Sequence, residues 1–218
     1  MTVMATRHGV VLAALLLASL AWPGCDKERS PPAPAPTSVG SAAPEVPAPL
    51  MGGEAPAPIT GASIYDLDLA LRNQDGDEVG LDAYRGHPVL IAMFYAGCPA
   101  ACPRLIDDVL AVEKALSPEL RTRLRVLLVS FDAARDTPVA LRKVMSDRNL
   151  DQARWMLSAV PDDGARELAA VLGVKYRHLD DGEFFHTSVI TALDGVGRPL
   201  ARVEGLGQPP DVLVAALR

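Results

Sequence analysis

Cysteine is scarce in this chain: 218 residues contain three, at positions 25, 98 and 102. That is too few for a disulfide-stapled scaffold, so each sulfur needs its own explanation. Histidine is nearly as rare, at 8, 87, 178 and 186. A basic excess is missing as well, since 21 Lys and Arg stand against 27 Asp and Glu, a net charge of −6. A general nucleic-acid binder needs a basic face to displace counterions, and that class is excluded. The N-terminal apolar run, Val10 to Trp22, stops at thirteen residues, short of the about 20 that cross a hydrocarbon core. With 49% apolar and 22% charged residues, the composition is that of a globular protein of one or two domains.

The short run follows Arg7 and His8 and has the form of a secretory signal, so the chain is expected to be exported. Trp22-Pro23-Gly24-Cys25-Asp26 comes next and resembles a bacterial lipoprotein cleavage site, in which the cysteine is acylated and becomes the new N-terminus. Gly24 and Cys25 fit that pattern; Trp22 and Pro23 depart from it, and ordinary cleavage after Ala21 is the alternative. Residues 1–25 are thus read as signal and lipidation site. From 26 to 60 the chain has nine prolines and no aromatic residue, a stretch unable to bury enough apolar surface to offset its ordering entropy. It reads as a Pro/Ala-rich linker holding a domain away from the periplasmic face of the cytoplasmic membrane.

Residues 61–218 make one domain in which strand and helix patterns alternate. Leu69–Leu71 and Glu78–Leu81 flank Asn73-Gln74-Asp75-Gly76 as a hairpin. Pro88–Tyr95 and Leu124–Phe131 are continuous apolar runs of strand length, suited to burial on both faces. Pro103–Leu116 has helical spacing, and Thr137-Pro138 opens another helix in the cap-then-proline arrangement. Trp155–Ala159 is a short strand, Asp162–Leu172 a helix stopped by Gly173, and Pro210–Leu217 a closing helix. Lys175–Leu179 and Phe184–Leu193 bracket Asp180-Asp181-Gly182 as a second hairpin. The pattern predicts an α/β sandwich with a central mixed sheet flanked by helices. A strand leading into a cysteine pair at a helix start favours the thioredoxin-like arrangement.

The chemistry concentrates in Cys98-Pro99-Ala100-Ala101-Cys102-Pro103 at the exit of the central strand. Four residues apart, the two cysteines on one helical turn have Cβ atoms about 5–6 Å apart. That separation suits one bridging metal ion and closes to a disulfide with modest adjustment. The positive end of the helix dipole favours thiolate, the form that binds metal and attacks disulfides. A structural disulfide, a redox dithiol and a metal pair all remain open, although a bridge closing so small a loop constrains the unfolded chain little. A metal needs a third ligand, for which His186 is the leading candidate, ahead of His178 and His87. Two thiolates and an imidazole are a soft set suited to copper(I) and admitting copper(II); zinc wants a fourth ligand, and iron–sulfur binding is poorly served by two cysteines.

The domain resembles the SCO/SenC family of copper-binding, thioredoxin-like proteins. The resemblance rests on Tyr95 followed by Cys98-Pro99-x-x-Cys102-Pro103, on Val129-Ser130-Phe131-Asp132-x-x-Arg135-Asp136-Thr137-Pro138, and on His186 with Asp194 eight residues later. It implies that Cys98, Cys102 and His186 bind copper and that the chain delivers it to the CuA-bearing subunit of cytochrome c oxidase. It also departs from the usual pattern: Ala96, Ala100, Phe185 and Gly195 stand where the family usually has Thr, Asp, Asp and Pro, which makes the surroundings less polar. Asp132, Arg135 and Asp136 are read either as capping plus a surface ion pair or as the rim of the metal site or a docking face. The expected function is a membrane-tethered, non-enzymatic copper chaperone with a thiol reductant protein as second partner. A thiol–disulfide reductase or a redox sensor are the alternatives.

Overall fold

Val89–Phe94 (β3) is buried at every residue, as its unbroken run of large apolar side chains requires. Its neighbours explain why. On one side it pairs in parallel with Arg125–Ser130 (β4), from Val89↔Arg125 to Phe94↔Ser130. On the other it pairs antiparallel with Val189–Leu193 (β8). The computed structural model describes residues 62–218; the signal, Cys25 and the 26–60 linker lie outside the described residues.

Within those residues Ala70–Asn73 (β1), Glu78–Gly80 (β2), Trp155–Ala159 (β5) and Pro199–Glu204 (β9) complete a seven-stranded sheet in the order β2-β1-β5-β4-β3-β8-β9. β3, β4 and β5 are parallel, and β1, β8 and β9 run against their neighbours. Helices α1 (Ala101–Ala115) and α2 (Pro118–Arg123) connect β3 to β4, α3 (Pro138–Asp147) connects β4 to β5, and α4 (Asp162–Leu172) follows β5. Asp211–Ala216 (α5) closes the chain. This is the expected mixed sheet flanked by helices.

Each helix has a local cause. α1 buries Leu105, Ile106, Val109 and Val112, a stripe at helical spacing, each contributing about 1.5–3 kcal/mol. Thr137 caps α3, its Oγ1 accepting the Ala140 N–H while Pro138 fills the first turn. α4 stops at Gly173, whose left-handed φ of 69° lets its N–H reach the last carbonyls.

The structure departs from the sequence reading in three ways. α1 starts at Ala101, two residues before the expected Pro103. β9 and α2 were not expected at all. Phe184–Leu193 is not one strand: Tyr176–His178 (β6) and Phe184–His186 (β7) form a separate two-stranded sheet, and β8 belongs to the main one. Thr187 makes the break, its N–H donating to the Lys175 carbonyl and its Oγ1 accepting the Lys175 N–H, which closes the hairpin before the chain turns into β8. Gly182, at φ 85°, supplies the tip.

Candidate metal centre

Parallel strands deliver their following loops to the same edge of a sheet, and ligand sites gather there. β3 ends into Tyr95 and the loop to Cys98; β4 ends into Phe131 and Asp132. The Phe131 N–H donates to the Phe94 carbonyl and holds the two exits side by side.

The cysteines face each other, but not as an i,i+4 pair within one helix as the spacing suggested. Cys98 lies ahead of α1 in a turn whose N–H donates to the Tyr95 carbonyl, and Cys102 sits in the first helical turn. The cap residue, Ala100, has no side chain able to accept a hydrogen bond. Cys98 Sγ does so instead, accepting the Cys102 N–H at 3.3 Å. The sulfur therefore occupies the positive end of the helix. Both cysteines are free thiols and both are buried.

His186 ends β7. Its Nδ1 stands 3.3 Å from the Thr187 carbonyl, which can only accept, so that nitrogen carries the proton. Nε2 is left with its lone pair facing Cys102 Sγ at 3.8 Å. Sγ of Cys98, Sγ of Cys102 and one ring nitrogen of His186 lie within 4.8 Å of one another. Among the described residues this is the group of three ligating side chains close enough to hold one ion.

Electrostatics separate the two sulfurs. Burial raises the Cys98 thiol, but the N–H groups of Cys102 and Ala100 aimed at its sulfur outweigh that and hold it below the ordinary value. Burial pushes the Cys102 thiol far up, with the neighbouring Cys98 charge adding to it. Burial also lowers His186, the Thr187 hydrogen bond offsetting part of the shift, so the ring is neutral where a ligand must be. The site thus presents one sulfur eased toward its thiolate, one thiol that must release its proton on binding, and one neutral imidazole.

His178 donates from Nδ1 to the Leu179 carbonyl and packs its ring 4.6 Å from Phe184; His87 bonds the Arg123 carbonyl. Neither joins the group. Asp132, Arg135 and Asp136 divide their roles. Asp136 is buried, and its Oδ2 accepts the Ala96 N–H at 2.7 Å and the Ser130 hydroxyl, fixing the loop that leads to Cys98. Burial raises its pKa, those two hydrogen bonds offsetting part of the rise. Asp132, also buried, pairs with Arg135, whose guanidinium lies over the rings of Tyr95 and Phe184 at 5.8 and 5.5 Å. The sequence placed Tyr95 and Phe131 in its motifs but did not read them, with Phe184, as an aromatic surround. Tyr95, Phe131 and Phe184 pack on one another at 5.1–5.6 Å, Tyr95 and Phe131 meet the His186 ring at 5.9 and 5.4 Å, and Tyr95 donates to Glu183. Tyr95 and Phe131 close their apolar runs, a signal that was available; Glu183 has none.

The SCO1/SenC family model matches residues 58–218. The chain belongs to the SCO1/SenC family. It is 27% identical over 92 residues to the SCO1 protein homolog of Bacillus subtilis (strain 168), a stretch covering 42% of this chain and 47% of that relative, so it spans about half the relative's length. Two solved structures share the fold. ScoI of Bradyrhizobium japonicum with copper bound superposes with a TM-score of 0.57 at 23% identity, over 68% of this chain and 94% of that one. BsSco, a member of the Sco family of cytochrome c oxidase assembly proteins in which a disulfide switch was identified, gives 0.60 at 21%, over 68% and 88%.

Proposed function

We propose that this chain carries copper, holding the ion through Cys98, Cys102 and His186 and passing it by ligand exchange to the CuA-bearing subunit of cytochrome c oxidase. The observation that carries the reading is the convergence of two sulfurs and a neutral ring nitrogen within 4.8 Å. Copper(I) accepts such a soft, three-coordinate set and copper(II) tolerates it, whereas zinc wants a fourth ligand. The copper-bound relative and the oxidase-assembly relative support the same reading. The ion is cargo, so the ligands must give it up, and the three donors sit on separate supports, a loop, the first turn of α1 and a short hairpin. Both thiols must be reduced before loading. In the oxidising compartment that the N-terminal signal implies, this requires a thiol reductant protein as second partner. Acylated Cys25 and the 26–60 linker would keep the domain at the periplasmic face of the membrane.

A copper titration of the reduced chain, followed by sulfur-to-copper charge-transfer absorption, tests the assignment. One ion per chain is expected, lost in Cys98→Ser and in Cys102→Ser and greatly weakened in His186→Ala. Full copper occupancy in Cys98→Ser refutes it.

The unequal thiols favour a second reading, a thiol–disulfide reductase that keeps the CuA-site cysteines reduced. A lowered Cys98 is the attacking sulfur such an enzyme needs, and a raised Cys102 the resolving one. A reduction potential near that of thioredoxin, about −270 mV, together with weak copper binding selects the reductase.

A further inference from the structure

β6 and β7 are three residues each and have no ladder partner in the seven-stranded sheet. A lone hairpin of that size is marginal in water, so its position is set by what it leans on. Its apolar anchors are Tyr176 and Phe184, whose rings meet Phe131 at 4.8 and 5.1 Å. Ring contacts tolerate small slides; a short hydrogen bond does not. Among the described residues, the side-chain hydrogen bond that ties this hairpin to the rest, outside the ligand group, runs from Tyr95 Oη to Glu183 Oε2 at 2.7 Å.

The two ends of that bond matter by position. Tyr95 follows β3, and its carbonyl accepts the Cys98 N–H. Glu183 precedes β7, three residues ahead of His186. Its own backbone is fixed in the turn: its N–H donates to Asp181 Oδ1 and its carbonyl accepts the Leu179 N–H. The bond therefore joins the loop that carries one sulfur to the strand that carries the imidazole. A carboxylate acceptor makes it charge-assisted, the stronger class of hydrogen bond. Arg135, over both Tyr95 and Phe184, covers one flank of it.

We propose that Glu183 is a positioning residue which, through Tyr95, latches the hairpin so that His186 Nε2 stays within bonding reach of the two sulfurs. Without it the hairpin still rests on its aromatic rings, but the imidazole leaves the sulfurs for part of the time. Copper(I) is served by two thiolates, whereas copper(II) depends more on the nitrogen, so the copper(II) form loses more. The copper arm of the test rests on the copper reading above; the exchange arm does not.

Amide hydrogen exchange over residues 176–187 is measured on the metal-free, reduced full chain for wild type, Glu183→Ala, Glu183→Gln, Tyr95→Phe and the Glu183→Ala/Tyr95→Phe double variant. The two single removals should each speed hairpin exchange about tenfold, and the double variant no more than either alone. Glu183→Gln, which keeps an acceptor but loses the charge, should fall between wild type and Glu183→Ala. Exchange in β3, β4 and β5 should not change, which separates a loosened hairpin from a weakened domain. In Glu183→Ala the copper(II) affinity should fall about tenfold, with the sulfur-to-copper band moving toward that of His186→Ala. Unchanged hairpin exchange overturns the proposal, and so do additive effects in the double variant. Faster exchange with unchanged copper(II) affinity overturns it too, because the hairpin would then move without the imidazole. If wild type binds no copper, the copper reading fails and the exchange result alone decides the latch.

Discussion

Cys98 and Cys102 are chemically alike in the sequence and opposite in the fold. Cys98 takes the place a Ser or Asp would hold at the start of a helix and receives an N–H bond there, which stabilises its thiolate. Cys102, one turn in and more deeply buried, has a backbone bond from Tyr95 that does not offset its burial, and it stays protonated. Alkylation of the reduced, metal-free protein with iodoacetamide, followed by peptide mass mapping across pH, reads this directly. Cys98 should react first, with a midpoint below the ordinary thiol value, and Cys102 should lag into alkaline pH; one shared midpoint contradicts the asymmetry. The linkage sign follows for Cys98. Its folded-state value is depressed, so its ionised form adds stability above the unfolded thiol value, and that contribution is lost as pH falls through the folded one.

At the scale of elements, Asp136 is the joint between β3's exit loop, β4's last residue and the entry to α3. Asp136→Ala leaves the Ala96 N–H and the Ser130 hydroxyl without their acceptor and should cost about 2–3 kcal/mol in urea unfolding. Asp136→Asn should behave differently, because an amide oxygen at the same place accepts both bonds and carries no charge to desolvate. The wild-type carboxyl has a raised folded-state pKa, so the folded protein binds more protons than the unfolded one in the window above 3.8. Wild-type stability therefore falls as pH rises through that window, and Asp136→Asn should gain on it there. A wild-type-minus-Asn difference that stays flat with pH removes the buried-carboxylate account.

The same scale shows what could be read in advance. β3, β4 and β5 were legible because buried parallel strands need long apolar runs, and α4 because its apolar stripe ends on a glycine able to take a left-handed φ. β9 was not, since an edge strand that opens on Pro199 and is only partly buried has no alternation to betray it. α2 packs only Leu120, partly buried, against the core and so leaves no stripe. Phe184 to Leu193 read as one strand because Phe-Phe-His and Val-Ile-Thr are both good strand sequence; the closing bonds at Thr187 come from tertiary pairing. Within the site, the cysteine pair was visible in its spacing, and His186 was favoured by its place where the second hairpin leads into its return strand and by resemblance. Asp136 looked like a cap, but Thr137 caps α3 and Asp136 turns inward, which only the fold of the preceding loop decides.

For the molecule as a whole, the described domain gathers its ligand group at one edge of its sheet, and no helix among the described residues is long and apolar enough to cross a membrane. The functional reading given above puts attachment at acylated Cys25, ahead of the described residues. Growth with a radiolabelled fatty acid should mark the wild-type chain and leave Cys25→Ser unlabelled, while copper binding by that variant stays intact. An unlabelled wild type removes the anchor without touching the site.

The third donor is far from the two sulfurs along the chain, with Cys102 and His186 84 residues apart. A polypeptide still being synthesised presents both sulfurs long before the imidazole exists, and closing so long a loop needs the sheet to be built first. The ligand set is therefore complete only once nearly the whole sequence has been made and folded. Any ion met earlier finds two sulfurs and no ring, a natural order of events in which assembly precedes loading.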